Sequence, residues 1–346
     1  MNRFDDLPHA FRNILIIKPG AIGDVLQLSP VIRALKQALP DAAITLMVGS
    51  SVTADLFRFN PRVAETIVFD KAGADRSLRG ILSLWNRLRR KKFGLVINFQ
   101  RSNIMTWLLA SASVPCRVLV YHKTRNRTIH AVTNYLETIM PLGISSNALD
   151  LDLDPGAAAR ARAADILAPY RTMGEPLVAL NPGASSPLKQ WNAVKFAALA
   201  DILARDHAAK SVIVGGSDDV ILSEEIAGRA ASRPLDLAGK LDILQLGAVL
   251  EQCSAVVSGD TGPMHVATAV GTPVIGLFGP TDPARTGPVG RGHAVLQAPG
   301  VSCVPCRDRV CRNPRYLECM DKITPEAVAG AVAAMLKSGR PNSSRA

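Results

Sequence analysis

An aspartate, a glycine turn and a helix start follow one another along one short stretch of the chain. The apolar residues 255–257 predict a buried strand that ends just before Asp260. Thr261 and Gly262 then lead into a predicted helix that contains His265. The first amides of a helix lack intrahelical partners and lie at the positive end of its dipole, so they attract phosphate groups. Because the Asp260 carboxylate could also accept hydrogen bonds from sugar hydroxyl groups, this stretch predicts a nucleotide-sugar site.

A second strand–turn–helix pattern covers residues 177–204 and places Lys189 just before its helix. An ammonium group at that position could reach a phosphate admitted by the turn, although most lysines simply lie at the surface. Asp219 follows a predicted strand at residues 211–214. Its carboxylate could accept hydrogen bonds from a ribose, or it could cap the next helix. Because parallel sheets bind ligands at the carboxyl ends of their strands, both residues are candidate ligands of the donor.

The first strand of the chain, residues 13–17, runs into a glycine loop and an amphipathic helix predicted from about Asp24 to Leu39. The glycine spacing matches neither the G-x-G-x-x-G fingerprint of dinucleotide sites nor the G-x-x-x-x-G-K-S/T pattern of P-loops. Asp24 at the helix start has two interpretations. It could cap the helix, which stabilises a helix by about 1 kcal/mol, or it could act as a general base.

Basic residues are concentrated in the first half of the chain. Residues 71–127 contain 13 Lys or Arg against a single acidic residue, within a chain whose net charge is +11. The segment includes a predicted basic amphipathic helix, residues 77–90. Its predicted apolar face consists of Leu78, Ile81, Leu82, Trp85 and Leu88, and Trp85 is expected to pack in the core. Such a field attracts nucleic acid, an anionic membrane surface or an acidic substrate, and a well-solvated helix face is the plainer explanation.

The length of 346 residues suits two α/β domains, and 48% hydrophobic with 20% charged residues indicates a globular protein. We expect a first domain at residues 1–150, a linker at 151–176, a second domain at 177–323 and a terminal helix at 324–338 that could pack back on the first domain. The N-terminal residues lack the apolar core of a secretory signal, and no run approaches the roughly 18 apolar residues of a spanning helix. A cytoplasmic location is therefore expected.

Two patterns could in principle hold a metal ion. Residues 150–154 contain D-x-D, by which many sugar-transferring enzymes bind a divalent cation, but alternating Leu and Asp before a proline is more typical of an exposed edge strand. Four cysteines, Cys303, Cys306, Cys311 and Cys319, have the ligand number of a zinc site without the spacing of a zinc ribbon or a ferredoxin. Metal ligation, redox pairing and a packed loop stay open for them, and we predict neither a metal nor another cofactor.

Three motifs, at residues 18–30, 181–191 and 258–283, resemble in this order those of the heptosyltransferase family of lipopolysaccharide biosynthesis, glycosyltransferase family 9. The most specific is G-D-T-G-P-M-H with the following F-G-P-T-D-P, and the resemblance extends over residues 14–320. It implies a GT-B architecture, in which two Rossmann-like domains face each other across a cleft. It also implies an acceptor site on the first domain and a nucleotide-sugar site, usually for an ADP-heptose, on the second.

Carried over to this sequence, the resemblance makes Asp24 the proposed catalytic base and assigns the acceptor region to Gln100 and Arg101. The implied donor ligands all lie on the second domain: Lys189, Asp219, Asp260, Thr261, Gly262 and His265.

The implied reaction is an inverting transfer onto lipopolysaccharide inner core or a related surface glycan, at the inner face of the inner membrane. Asp24 would take the proton of the acceptor hydroxyl, while Lys189 and the amides after Asp260 would stabilise the leaving diphosphate in place of a metal. The basic face of the first domain would meet the phosphates of the acceptor. Two rival functions are a nucleotide-sugar epimerase of GT-B fold and a non-catalytic basic nucleic-acid-binding protein, although no recognised nucleic-acid-binding motif is present.

Overall fold

The computed structural model describes residues 11–71, 73–100, 104–122, 128–171, 174–306 and 310–338. The chain divides into two compact units, Met1–Asp154 and Pro155–Ala346. Each unit is built around its own parallel β-sheet with helices packed against it, as the α/β prediction requires. Within the described ranges, no helix is long and apolar enough to cross a membrane.

The described part of the first unit forms one five-stranded sheet. Its strands are β1 (Asn13–Ile17), β2 (Ala43–Val48), β3 (Glu65–Val68), β4 (Leu95–Asn98) and β5 (Arg117–Val120). Its helices are α1 (Ile22–Leu26), α2 (Ser29–Ala38), α3 (Ser51–Asp55), α4 (Leu78–Arg90), α5 (Ile104–Ser111) and α6 (Ala131–Ile139), with 3-10 helices at Ala74–Arg76 and Met140–Leu142. The strands are parallel in the order β3-β2-β1-β4-β5. The apolar β1 is central and buried, because helices cover both faces of such a sheet.

The described part of the second unit forms a six-stranded parallel sheet in the order β11-β10-β9-β6-β7-β8. The strands are β6 (Leu177–Asn181), β7 (Lys210–Ile213), β8 (Leu235–Asp236), β9 (Ala255–Gly259), β10 (Val274–Phe278) and β11 (Ala294–Gln297). The helices are α7 (Gly156–Leu167), α8 (Ala193–His207), α9 (Val220–Arg229), α10 (Ile243–Gln252), α11 (Gly262–Ala269), α12 (Pro283–Thr286), α13 (Glu318–Asp321) and α14 (Pro325–Ser338). Pro187–Lys189 and Ser217–Asp219 form 3-10 helices.

The strand order of each sheet reverses beside the first strand of its unit. The reversal lies between β1 and β4 in the first unit and between β6 and β9 in the second. Open parallel sheets bind ligands outside the carboxyl ends of the strands at such a reversal, where the connections diverge and leave a crevice. The loops after these four strands are therefore where a site is expected.

The helix predicted from Asp24 to Leu39 is two helices, α1 and α2, separated by a break after Leu26. Pro30 accounts for the break, because its nitrogen has no hydrogen to donate and its ring would clash with the carbonyl group four residues earlier. The hydroxyl of Ser29 donates to the carbonyl oxygen of Leu26 instead, at 2.8 Å. The prediction of one continuous helix is wrong, and Asp24 lies on a short helix of its own.

The segment predicted as a linker, residues 151–176, is divided between the two units. Leu151 is buried within the first unit. Helix α7 packs against α10 of the second unit. Between them, Arg160 makes a bidentate ion pair with Glu251 at nitrogen–oxygen distances of 2.7 and 3.2 Å. The boundary between the units accordingly falls between Asp154 and Pro155, earlier than the predicted second domain.

The edge strand predicted at residues 150–154 does not form, and the segment is irregular. The Asp152 carboxylate accepts hydrogen bonds from Arg33 at 3.2 Å and from Asn60 at 2.8 Å. Arg62 approaches it to 3.4 Å. Burial raises the pKa of the Asp152 carboxyl above its ordinary value, although the guanidinium groups of Arg62 and Arg33 oppose the shift. This carboxylate anchors the segment to α2 and to the loop before β3.

The terminal helix α14 packs within the second unit. Its residues Val328, Ala329 and Val332 are buried in the core that includes the apolar face of α8. Its apolar face therefore covers α8.

The buried face of α4 differs in part from the predicted one. Leu88, on the predicted face, and Leu84, outside it, are buried in the core of the first unit, whereas Leu78 and Leu82 are 80% and 59% exposed. The expectation that Trp85 packs in the core is confirmed, since its partly buried ring lies against the cluster that contains Leu84. The apolar residues of α4 cover more than one face of the helix. Only those that face the sheet, Leu84 and Leu88, are buried.

Candidate functional site

The Asp24 carboxylate lies beyond the carboxyl end of β1, at the reversal of the first sheet. Asp24 is the third residue of α1, and the N-cap is Ala21, so the interpretation of Asp24 as the N-cap is wrong. Half of its side chain is exposed. A hydroxyl group from outside can therefore approach the carboxylate, which is the first requirement for a general base.

Two side chains that the sequence did not single out hold this carboxylate. The Tyr135 hydroxyl donates to Asp24 Oδ1 at 3.3 Å, and Lys18 Nζ lies 3.6 Å from the same oxygen. Burial of Tyr135, together with the negative charge of Asp24, raises the pKa of the phenol, which therefore stays protonated and donates. Lys18 also donates to the carbonyl oxygen of Phe99 at 3.3 Å and lies 4.9 Å from the centre of the Tyr135 ring.

The candidate acceptor residues follow β4, next to β1. The backbone amide of Gln100 donates to the Asn98 side chain at 3.0 Å, which turns the chain at the end of the strand. Gln100 thus lies at the same sheet edge as Asp24. Arg101 lies outside the described residues.

Lys189 and Asp260, both predicted as donor ligands, form an ion pair with each other. Lys189 Nζ lies 2.8 Å from Asp260 Oδ2 and also donates to the backbone oxygen of Asp260 at 3.3 Å. The Asp260 side chain is 8% exposed and the Lys189 side chain 23%. An ammonium group has three hydrogens to donate, so these two contacts leave one for a ligand. The pairing favours Asp260 as the residue that positions Lys189.

Asn181 joins the ends of β6 and β9 at the reversal of the second sheet. Its Nδ2 donates to Ser258 Oγ at 2.9 Å and to Thr261 Oγ1 at 3.0 Å. Its Oδ1 is buried and has no hydrogen-bond partner among the described residues. No local pattern distinguishes Asn181 from other polar residues near a strand end. These two hydrogen bonds hold the loop that carries Lys189 against the turn that carries Thr261.

Helix α11 starts directly after the turn to which the Asn181 side chain donates a hydrogen bond. Thr261 is its N-cap, with extended backbone, and in the described part of the chain no side chain caps the helix. The Thr261 hydroxyl instead accepts the hydrogen bond from Asn181. The first amides of α11, including that of Gly262, therefore have no side-chain cap, as an anion-binding helix start requires.

Asp219 follows β7, and its carboxylate lies over the turn after β6. The amide of Gly216 donates to Asp219 Oδ2 at 2.8 Å. A methyl group at Gly183 would lie 2.3 Å from the same oxygen, so the glycine allows the carboxylate to approach. The structure places Asp219 against Gly183, in the loop that also carries Lys189.

His265 is the fourth residue of α11 and is 5% exposed. Its backbone oxygen accepts a hydrogen bond from the Thr268 hydroxyl at 2.8 Å. It thus lies on the same helix as the donor turn, as predicted, with its side chain inside the unit.

Neither candidate metal pattern forms a ligand cluster. Across the described ranges, no group of three or more His, Cys, Asp or Glu side chains is arranged to hold a metal ion. The four cysteines are free thiols that line a cavity of about 530 Å³ beside Leu188. Burial raises the pKa of the Cys319 thiol, and neighbouring Cys303 and Cys311 add to the shift.

Replacement of Gly183 by alanine is expected to weaken donor binding about tenfold or more and to lower stability by about 1–2 kcal/mol, because the new methyl group displaces the Asp219 carboxylate. Calorimetric titration and urea unfolding measure the two effects. Gly228→Ala is the matched control: it lies in α9, its new methyl group contacts nothing within 4 Å, and it should be neutral or stabilising. Equal donor affinity in the two variants would contradict the placement of Asp219 in the site.

The comparison with protein families decides between the functions that this geometry allows. The sequence model of glycosyltransferase family 9 (heptosyltransferase) matches residues 81–317, which is more than half of the chain. The chain belongs to glycosyltransferase family 9. The resemblance inferred from the motifs is confirmed, and with it the prediction of a glycosyltransferase.

Relatives of this family 9 enzyme cover nearly its whole length. Lipopolysaccharide heptosyltransferase 3 of Escherichia coli is 28% identical over 335 residues, covering 89% of this chain and 98% of that protein. The crystal structure of a family 9 glycosyltransferase from Veillonella parvula has a TM-score of 0.85 and 25% identity, covering 95% and 98%. Heptosyltransferase WaaC of E. coli with ADP-2-deoxy-2-fluoro heptose has a TM-score of 0.67 and 21% identity, covering 93% and 99%. The predicted GT-B fold class is confirmed.

Proposed function

We propose that this family 9 glycosyltransferase transfers a heptose from an ADP-heptose to the inner core of lipopolysaccharide or to a related surface glycan, with inversion at the anomeric carbon. The observation that carries the proposal is Lys189, held by Asp260 beside the start of α11 that no described side chain caps. A cation and a set of amides at one crevice suit a diphosphate. The relative of known structure with a fluorinated ADP-heptose, and the E. coli relative named for lipopolysaccharide, support the choice of donor and acceptor.

The proposed chemistry divides between the two units. Asp24 takes the proton of the acceptor hydroxyl as that oxygen attacks the anomeric carbon. Tyr135 and Lys18 hold the Asp24 carboxylate through Oδ1. Lys189 and the first amides of α11 stabilise the negative charge that develops on the leaving ADP. Asp219, over the turn after β6, is the proposed partner of the donor ribose, and Thr261 and Gly262 contact the diphosphate.

The proposed acceptor is anionic and attached to lipid. Residues 71–127, the segment that also contains Gln100 and Arg101, carry an excess of basic residues. This excess supports an acceptor that carries phosphate or acidic sugars. Transfer would then take place at the cytoplasmic face of the inner membrane, with the enzyme peripheral to it.

A thermal-shift screen against ADP-, UDP- and GDP-sugars tests the donor. At 100 times its dissociation constant, an ADP-heptose is expected to add ~2.7 kcal/mol of stability, and the other nucleotide sugars much less at the same concentration. Stabilisation by UDP- or GDP-sugars alone would contradict the proposed donor.

The stereochemistry of the product tests the reaction. With a core oligosaccharide as acceptor, the product linkage is expected to have the anomeric configuration opposite to that of the donor, as read by NMR. Conversion of the donor sugar without an acceptor would instead identify the epimerase.

A further inference from the structure

Helices α4 and α5 present exposed apolar side chains on one part of the first unit. Leu78, Leu82, Trp107 and Leu108 are 80%, 59%, 50% and 44% exposed, and we call them the α4–α5 outer surface. Single exposed apolar residues are common on proteins, but several on two adjoining helices indicate a surface that something covers.

The two helices lie side by side on the same sheet. Leu84 of α4 and Leu109 of α5 are buried in one cluster with β1 and β4 residues. Trp85 Nε1 donates to Ser111 Oγ at 3.2 Å and thereby joins the helices. Since residues four apart lie on one side of a helix, Leu78 and Leu82 form a row that continues toward Trp85. The packing beneath α4 and α5 therefore holds both helices on the same side of the sheet.

Exposed arginines lie on α4 beside its exposed leucines. Arg79, Arg89 and Arg90 are exposed on α4 itself. The Arg89 guanidinium lies over the Trp85 ring at 5.1 Å. Apolar side chains bordered by arginines on a helix are the pattern of a peripheral membrane-binding helix, in which the apolar groups enter the interface and the cations contact lipid phosphates.

We propose that the α4–α5 outer surface docks on a bilayer of anionic phospholipid. The inference rests on the proposed function only in that a lipid-linked acceptor would bring the enzyme to such a bilayer. Charge complementarity favours this occupant over a second copy of the chain, because two copies would bring like charges together across the patch. Leu78 and Leu82 enter the acyl boundary and Trp107 lies at the headgroup level.

Co-sedimentation with vesicles of phosphatidylethanolamine and phosphatidylglycerol tests the docking. The Leu78→Ser/Leu82→Ser variant is expected to bind at least about tenfold more weakly than the wild-type chain. Ile221→Ser is the matched control, since Ile221 is 83% exposed on the second unit, and it should bind within about a factor of two of the wild-type chain. Arg79→Gln/Arg90→Gln should weaken binding to these vesicles, and vesicles of phosphatidylcholine alone should bind little of any variant. Melting temperatures verify that the variants fold.

Equal vesicle binding by the leucine variant and the wild-type chain would overturn the proposal. So would a wild-type dimer that the same substitutions dissociate in sedimentation, because a second copy would then cover the patch. The assay contains neither donor nor acceptor, so its outcome is separate from the proposed function. If the wild-type chain transfers sugar to a deacylated core acceptor but does not bind vesicles, the docking alone is refuted. Vesicle binding without any transfer would refute the proposed function alone.

Discussion

Replacement of Asp24 by asparagine is expected to lower the rate of sugar transfer by about a thousandfold or more, while the dissociation constant of the donor changes by less than a factor of a few. A positioned general base contributes roughly 10²–10⁴-fold to a rate, and the acceptor proton has to be removed only in the transition state. Asparagine has the same shape and can still accept the hydrogen bond from Tyr135, but it cannot take up the proton. Single-turnover transfer assays and calorimetric donor titrations measure the two quantities.

Asp41→Asn is the control for this experiment. Asp41 is an exposed carboxylate that precedes β2, at the amino edge of the same sheet and thus opposite to the edge of Asp24. The Asp41→Asn substitution removes the same charge from the same unit and should leave the rate of transfer within about twofold of the wild-type rate. Normal turnover by Asp24→Asn would remove Asp24 from the mechanism, and an equal loss in both variants would attribute the effect to net charge.

Replacement of Lys189 by methionine is expected to have the largest combined effect on stability and on donor binding. The variant leaves the Asp260 carboxylate, which is only 8% exposed, without its cation. Breaking a buried ion pair from one side costs about 3–5 kcal/mol, because an uncompensated charge stays behind. Donor affinity is expected to fall at the same time by about a hundredfold, since a cation beside a diphosphate contributes a charge-assisted hydrogen bond. Urea unfolding and calorimetry follow the two losses.

The double variant Lys189→Met/Asp260→Asn separates the two effects. Removal of both charges should restore most of the stability, because no unpaired carboxylate remains, but it should not restore donor binding. Lys195→Met is the matched control: Lys195 is similarly buried, but its partner Asp321 is 74% exposed, so its loss should cost no more than about 1 kcal/mol. Normal donor affinity in the double variant would show that Lys189 serves only to neutralise Asp260.

The strands and the edge of the sheet at which a site lies could be predicted from the sequence, because apolar runs ended by glycine or polar residues are local signals. Asp24, Lys189 and Asp260 each follow such a run, and each lies beyond the carboxyl end of a strand at a reversal of strand order. The contacts between them could not be predicted in this way. Tyr135 is 111 positions from Asp24, and the pairing of Lys189 with Asp260 depends on the register between β6 and β9.

The incorrectly predicted face of α4 has a physical cause, which is that local patterns do not specify what an element packs against. In α4, Leu78 and Leu84 are equally apolar, and only the sheet beneath the helix decides that Leu84 is buried. The error at Pro30 has another cause. The proline itself is a local signal for a break in the helix, and the prediction of one continuous helix gave it too little weight.

The position of the boundary at Asp154–Pro155 has a consequence for exchanging units between members of family 9. A crossover at the predicted domain start, residue 177, would take α7 from the parent of the first unit and α10 from the parent of the second. Ala163 and Leu167 would then meet a foreign helix, and Glu251 would face whatever residue replaces Arg160. A crossover between Asp154 and Pro155 keeps that interface within one parent, so the second unit could be exchanged as a single block without repair of its core.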